Sequence, residues 1–144
     1  MEQPTVRIPA VAGSAAAMWF IGMGWYTVFG SQWMAFTGVT EEMANSMTGT
    51  DMALTFGGSF LAYVVAFYCL VHVNHAFKVN DIKGGIQSAF WTWLGFVATV
   101  IYVTNAYQGK SIGLWLIDAG YWLIGLIAGS IILVKMHRPA ADPQ

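Results

Sequence analysis

The chain alternates between four long apolar stretches and short polar ones. An α-helix needs about 20 apolar residues to cross the hydrocarbon core of a bilayer, and each stretch is long enough. The pattern therefore predicts an all-α, polytopic membrane protein. Residues 1–144 are expected to form a single domain with four transmembrane helices, at residues 8–29, 52–75, 84–107 and 111–134.

The longest polar stretch is the loop predicted at residues 30–51. Thr40 is a typical helix N-cap, and the two glutamates after it suit the first turn of a helix. We expect a short amphipathic outer helix here, lying on the membrane surface and anchored by Trp33. Thr50 or Asp51 should cap the next span. The apolar face of the outer helix is predicted to consist of Phe36, Val39, Met43 and Met47.

The composition supports a membrane protein and excludes several other classes. Hydrophobic residues make up 57% of the chain and charged residues 9%, whereas soluble domains carry about 25% charged residues. A net charge of −1 gives no indication of nucleic-acid binding. The one cysteine, Cys69, excludes an intrachain disulfide. No nucleophile–base pair or phosphate-binding loop is present, so we expect neither an enzyme nor a cofactor.

Positive charges predict the orientation of the spans. The first and third loops hold only Lys110. The amino tail, the second loop and the carboxyl tail hold the other five, which are Arg7, Lys78, Lys83, Lys135 and Arg138. Loops rich in lysine and arginine stay on the cytoplasmic side. Both termini are therefore predicted to be cytoplasmic, with the long loop outside.

Asp118 is the one ionisable residue within the last predicted span. It shares a helical stripe with Gly125 and Gly129, whose G-x-x-x-G spacing lets another helix approach closely. Gly57 and Gly58 give the second span a similar packing surface. Asp118 should therefore face other helices rather than lipid. Residues at a similar depth predict an intramembrane polar cluster of Asp118, Asn105, Tyr102 and Tyr26.

Two roles for Asp118 remain open at this point. It is either a hydrogen-bonded structural carboxyl, or it faces a small outward-facing cavity and binds a proton, a cation or a polar headgroup. An ionisable residue inside a membrane is a functional-site hypothesis by default.

Metal binding is a further hypothesis. His72 and His75 lie three residues apart on one helical face, and His137 is predicted on the same side of the membrane. Three imidazoles suit zinc or another divalent metal. Thioethers near the long loop suit Cu(I), and they belong to Met34, Met43, Met47 and Met52. Solvated histidines and an ordinary apolar face explain the same residues without a metal.

Several short motifs follow one another at defined positions along the chain. They are Trp25-Tyr26, Phe29-Gly30, Trp33-Met34, Thr40-Glu41-Glu42, Gly95-Phe96, Asn105 and the segment 117–121. Over residues 9–134 the chain resembles a bacterial membrane family known as domain of unknown function 1761. The resemblance implies four transmembrane helices in a bacterial cytoplasmic membrane and implies no activity. The family often has Asn in place of Asp118 and Ser-Pro in place of Thr27-Val28.

Two classes of function follow from these patterns. In the first, the protein is an accessory or scaffold subunit, embedded in the lipid bilayer and packing against itself or other membrane-protein subunits. In the second, it is a small oligomeric transporter or channel with Asp118 and Asn105 lining the path. Handling of copper or zinc is a third alternative.

Overall fold

The structure is a computed structural model that describes residues 4–137, with the side chain of His137 left out. It contains α1 (Ile8–Thr37), α2 (Glu41–Asn45), α3 (Gly49–Ala76), α4 (Ile82–Tyr107) and α5 (Ile112–His137). Helices account for 86% of the structure, and the described range has no strand. All but α2 are long and apolar enough to cross a membrane. The prediction of an all-α, four-span membrane protein is therefore confirmed.

The first helix is longer than predicted, since α1 ends at Thr37 and not near residue 29. No proline interrupts residues 30–37, and an isolated glycine such as Gly30 is tolerated in a helix. The helix stops at Gly38, whose φ of +80° is the left-handed conformation that glycine adopts at helix ends. The loop therefore shrinks to residues 38–48, and Trp33, which was predicted in this loop as the anchor of the outer helix, belongs to α1.

The capping of α2 is as predicted, whereas that of α3 is different. The Thr40 hydroxyl accepts a 3.2 Å hydrogen bond from the Met43 N–H. The N-cap of α3 is Thr48, because Thr48 and Asp51 each accept a hydrogen bond from the other's backbone N–H. This capping box satisfies two N–H groups at once, so α3 begins at Gly49. The position of α2 on the membrane surface stays a prediction.

The central helix is α5, with half of its span buried inside the bundle. It runs antiparallel to α1 along its whole length, because Arg7 donates to the Met136 carbonyl and Tyr26 to the Asp118 carboxyl. Helix α4 packs on α5 as well, whereas α3 packs mainly on α1. The residues at the centre of this packing are Ala15, Met18, Phe67, Leu70, Tyr121 and Leu133.

Two indole groups join α4 to α5. The Trp93 Nε1–H donates to the Ala119 carbonyl at 2.7 Å, and the Trp115 Nε1–H donates to the Ala98 carbonyl at 2.8 Å. Between these contacts α4 winds as a π-helix over Trp93–Ala98. A second π-helical turn lies in α3 at Ala53–Gly57. Such turns interrupt the regular α-helical pattern and are frequent at functional sites.

The four predicted packing glycines divide into two pairs. A Cβ at Gly125 would lie 2.8 Å from the Met18 Cγ, and one at Gly129 would overlap the Phe67 ring. The G-x-x-x-G groove of α5 is thus filled within the chain. Gly57 and Gly58 on α3 have no atom within 4 Å of the position that a Cβ would take. The surface of α3 therefore stays open.

Candidate functional site

Asp118 and Tyr26 meet between α5 and α1. The Tyr26 hydroxyl donates a 2.8 Å hydrogen bond to Asp118 Oδ1, and the indole of Trp33 lies beside this carboxyl. The preceding residues of the two helices are also joined, since the Trp25 Nε1–H donates to the Ile117 carbonyl at 3.0 Å. Asp118 is half-buried and faces α1, where Tyr26 and Trp33 lie.

Trp33 is a member of this site that the sequence analysis missed. Residues 26 and 33 are seven apart, which places them on the same face of a continuous helix. Their ring centroids are 6.1 Å apart, and the rings meet edge to face. The spacing was visible in the sequence. Because the first helix was predicted to end near residue 29, Trp33 was assigned to the loop, and its common helical face with Tyr26 was not recognised.

The other two residues of the predicted polar cluster lie elsewhere. The Tyr102 ring packs edge to face on Trp115, and 52% of Tyr102 is exposed. The Asn105 carbonyl accepts from the Lys110 N–H, and its side-chain nitrogen is buried without a hydrogen-bond partner. Within residues 4–137, neither residue has a hydrogen bond to Asp118. A path lined by Asp118 and Asn105 stays a prediction.

A cleft of about 650 Å³ lies between α1, α3 and α5, and of the Tyr26–Asp118 pair only Tyr26 lines it. We call it the aromatic cleft, and the rings lining it belong to Trp19, Tyr26, Trp33, Phe56, Tyr63, Tyr121 and Trp122. Tyr63 links the walls, because its ring centroid is 6.2 Å from that of Tyr121 and 5.7 Å from that of Trp122. Within residues 4–137, neither lysine nor arginine lines the cleft.

A second cavity of about 750 Å³ lies where α3 leads into α4. Ser88 lines it, and the Ser88 hydroxyl is buried without a hydrogen-bond partner. The side-chain oxygen of Asn74 is likewise buried and unpartnered on α3. Lys78, at the edge of the cavity, adopts a left-handed backbone with φ of 54°, which is uncommon for residues other than glycine.

Two of the three predicted zinc ligands, His72 and His75, lie near the end of α3. His72 Nδ1 lies 2.9 Å from the carbonyl of Tyr68, one turn earlier in its own helix. His75 follows on the next turn, and the side chain of His137 lies outside the described residues. Among the residues that are described, no three side chains of His, Cys, Asp or Glu come together as metal ligands. Met34 lines the aromatic cleft, and Met43 is exposed.

Comparison with protein-family models identifies a family for this chain. A family model described as "Protein of unknown function (DUF1761)" matches residues 9–134. No curated protein matches the chain, and neither does any solved structure. The match covers all four long helices and ends within the last turns of α5.

Proposed function

The chain belongs to the DUF1761 family, and we propose that it is an accessory subunit of the bacterial cytoplasmic membrane that assembles with a second copy of itself. The surface proposed for this assembly is a row on α3 that points away from the bundle. We call this row the outward face of α3, and it consists of Gly58, Leu61, Val65 and Tyr68.

The observation that carries this proposal is the free outward face. Its residues follow steps of three, four and three within the regular α-helix Gly58–Ala76. This is the spacing that packs one helix along another with a crossing angle of about 20°. All four residues are exposed, and 63% of Leu61 and 55% of Val65 are free of contacts within the chain.

The two pairs of glycines support a protein partner for this face. Association of helices in lipid depends on close packing rather than on the hydrophobic effect, so glycines are placed where helices touch. Gly125 and Gly129 are used in this way inside the chain. Gly58 offers the same close approach at the outward face, and no atom lies within 4 Å of its Cβ position. A glycine in a helix costs about 1 kcal/mol relative to alanine, which favours a packing role for it.

A second copy of this chain is the partner that the face itself favours. Most oligomers of soluble proteins are built from identical chains related by a twofold axis. Such an interface uses the same surface on both chains, and a single row of residues can supply it. A parallel pair of α3 helices would place Gly58 opposite Gly58 and Val65 opposite Val65. The proposed role is structural and needs no catalytic group or cofactor.

Disulfide cross-linking tests the proposed interface. In a Cys69→Ala background, Val65→Cys should form a covalent dimer when the protein is oxidised with copper phenanthroline in native membranes. The matched control is Val100→Cys on α4, since 58% of Val100 is exposed. We expect cross-linking at position 65 to exceed that at position 100 several-fold, measured on non-reducing gels.

Gly58→Leu should abolish this cross-link, because a large side chain at that position separates the two helices. Gly95→Leu on α4 is the control, since Gly95 also has no atom within 4 Å of its Cβ position. Equal dimer yields at positions 65 and 100 would overturn the proposed interface. A cross-linked product whose mass is not that of two copies would overturn the second copy as the partner.

The orientation of the chain is part of the same proposal. Lys110 Nζ donates to the Thr37 carbonyl, so the third loop and the end of α1 lie on one side. The hydrogen bond from Arg7 to Met136 joins the other ends of α1 and α5. The more positive side is proposed to be cytoplasmic.

Labelling with an impermeant thiol reagent checks this orientation. In a Cys69→Ala background, the reagent should modify Ser46→Cys on intact cells whose outer membrane is permeabilised. It should reach Asn80→Cys, in the loop between α3 and α4, only after the cytoplasmic membrane is opened. Both positions are exposed in the structure. The reverse pattern of labelling would contradict the proposed orientation.

A further inference from the structure

We propose that the aromatic cleft binds an amphiphile whose head is an organic ammonium group and whose tail is apolar. The proposal is independent of the assembly through the outward face of α3, because the cleft lies on the other side of that helix. Phe56, Ser59 and Tyr63 line the cleft, whereas Leu61 and Val65 point away from it.

Charge complementarity supports a cationic ligand. The Asp118 carboxyl accepts from the Tyr26 hydroxyl and lies beside the Trp33 indole, and both of these groups are neutral. A carboxylate has about four acceptor positions, so capacity for a further partner remains. Among the described residues no cationic side chain lines the cleft, although a charge inside the membrane favours a counter-charge. Asp118 does not itself line the cleft, so a cationic head there would interact with its charge across Tyr26, which lines the cleft and donates to Asp118.

The walls of the aromatic cleft are rich in tryptophan and tyrosine rings. The faces of tryptophan and tyrosine rings attract cations, and sites for quaternary ammonium groups are often cages of such rings. Tyr63 and Trp122 meet at an interplanar angle of 80°, and Tyr26 and Trp33 at 82°. In such edge-to-face pairs, one ring keeps both of its faces free of the other. An alkylated ammonium group has few or no N–H donors, so aromatic faces suit it better than further polar groups would.

The aromatic cleft has a volume and an opening to the bilayer that suit an amphiphile. A volume of about 650 Å³ lies within the range of about 300–1,000 Å³ that is typical of small-molecule sites. Met23 and Phe56 at the rim are each about half exposed, at 54% and 52%. Gly30 also lines the cleft, and no atom lies within 4 Å of its Cβ position. A ligand can therefore enter from the bilayer between α1 and α3 and leave its tail in an apolar environment.

The test uses decyltrimethylammonium as the probe and the full chain in nanodiscs of phosphatidylglycerol. Binding is followed by intrinsic tryptophan fluorescence, and decyl maltoside serves as the uncharged probe. We expect saturable binding of the ammonium probe alone. Asp118→Asn keeps an acceptor for Tyr26 and removes the charge, so the lost attraction for the ammonium group should weaken binding at least about tenfold, which corresponds to about 1.4 kcal/mol.

A pair of glycine variants tests the position of the site without changing its charge. Gly30→Leu fills the cleft and should abolish saturable binding. Gly24→Leu lies on the same helix, also has no atom within 4 Å of its Cβ position, and does not line the cleft. It should bind like the unmodified protein. Circular dichroism and gel filtration establish that each variant is folded.

Three results would overturn the proposal. They are equal binding of both probes, binding by folded Asp118→Asn that matches the unmodified protein, and equal binding by the two leucine variants. The source of the ligand is decided by nanodiscs that contain phosphatidylcholine. Competition by this lipid supports a choline headgroup as the ligand, and undiminished binding supports a free amphiphilic amine.

Discussion

Truncating Phe67 to alanine should lower the free energy of unfolding by about 2–3 kcal/mol, the largest loss that we expect from a single truncation. Phe67 is fully buried where α3 meets α1 and α5. In a bilayer the unfolded chain is also surrounded by hydrocarbon, so the transfer contribution is small. The cavity contribution remains, because removing roughly 100 Å³ costs about 24 cal/mol per Å³.

The measurement is reversible unfolding in mixed micelles of a mild detergent and dodecyl sulfate, followed by tryptophan fluorescence. Phe20→Ala on α1 is the matched control, because 65% of Phe20 is exposed and its truncation leaves no cavity. The control should change the unfolding free energy by less than about 0.5 kcal/mol, as is usual for surface substitutions. A similar loss for both variants would contradict the central position of Phe67.

Adding one methyl group at Gly129 should destabilise the protein by about 1–3 kcal/mol, the usual cost of overpacking. The Cβ of Gly129→Ala would overlap the ring of Phe67. The ring is fully buried and cannot turn into free space. The Gly129 carbonyl also accepts a 2.9 Å hydrogen bond from Ser14, which couples this stretch of α5 to α1. Any shift of the backbone would therefore disturb a second contact.

The control is Gly24→Ala, where no atom lies within 4 Å of the new Cβ. Alanine is the better helix former by about 1 kcal/mol, so this variant should be as stable as the unmodified protein or more so. Phe67→Leu should reduce the cost of Gly129→Ala, because the smaller side chain makes room for the methyl group. Strict additivity of the two changes, measured in a double-mutant cycle, would show that they do not act on one contact.

The local sequence was sufficient to predict that the chain has four spans and that each is a helix. Runs of apolar residues identified four helices because the cost of unpaired backbone groups in hydrocarbon leaves few alternatives to a helix. The N-cap at Thr40 could also be read locally, since it depends on a side chain and the N–H three residues later. The end of α1 was misjudged because Gly30 and Gly38 look alike, and the backbone conformation at Gly38 distinguishes them.

Helical periodicity also showed that Asp118 shares a stripe with Gly125 and Gly129, so that it should face a helix. It could not identify that helix, and the other three candidates for the polar cluster were divided between the first span, with Tyr26, and the third, with Tyr102 and Asn105. The structure places Tyr26 and Trp33 beside Asp118 and leaves Tyr102 and Asn105 apart from it.

The two pairs of glycines also separate what the sequence predicts from what the fold decides. Both pairs were predicted to form packing surfaces. In the fold, Met18 and Phe67 pack against Gly125 and Gly129, whereas the surface at Gly57 and Gly58 is open. Composition and periodicity determine which residues form a helix and which face each residue occupies. The neighbour across that face depends on how the helices are ordered and aligned, which is set by many weak packing contacts between distant residues.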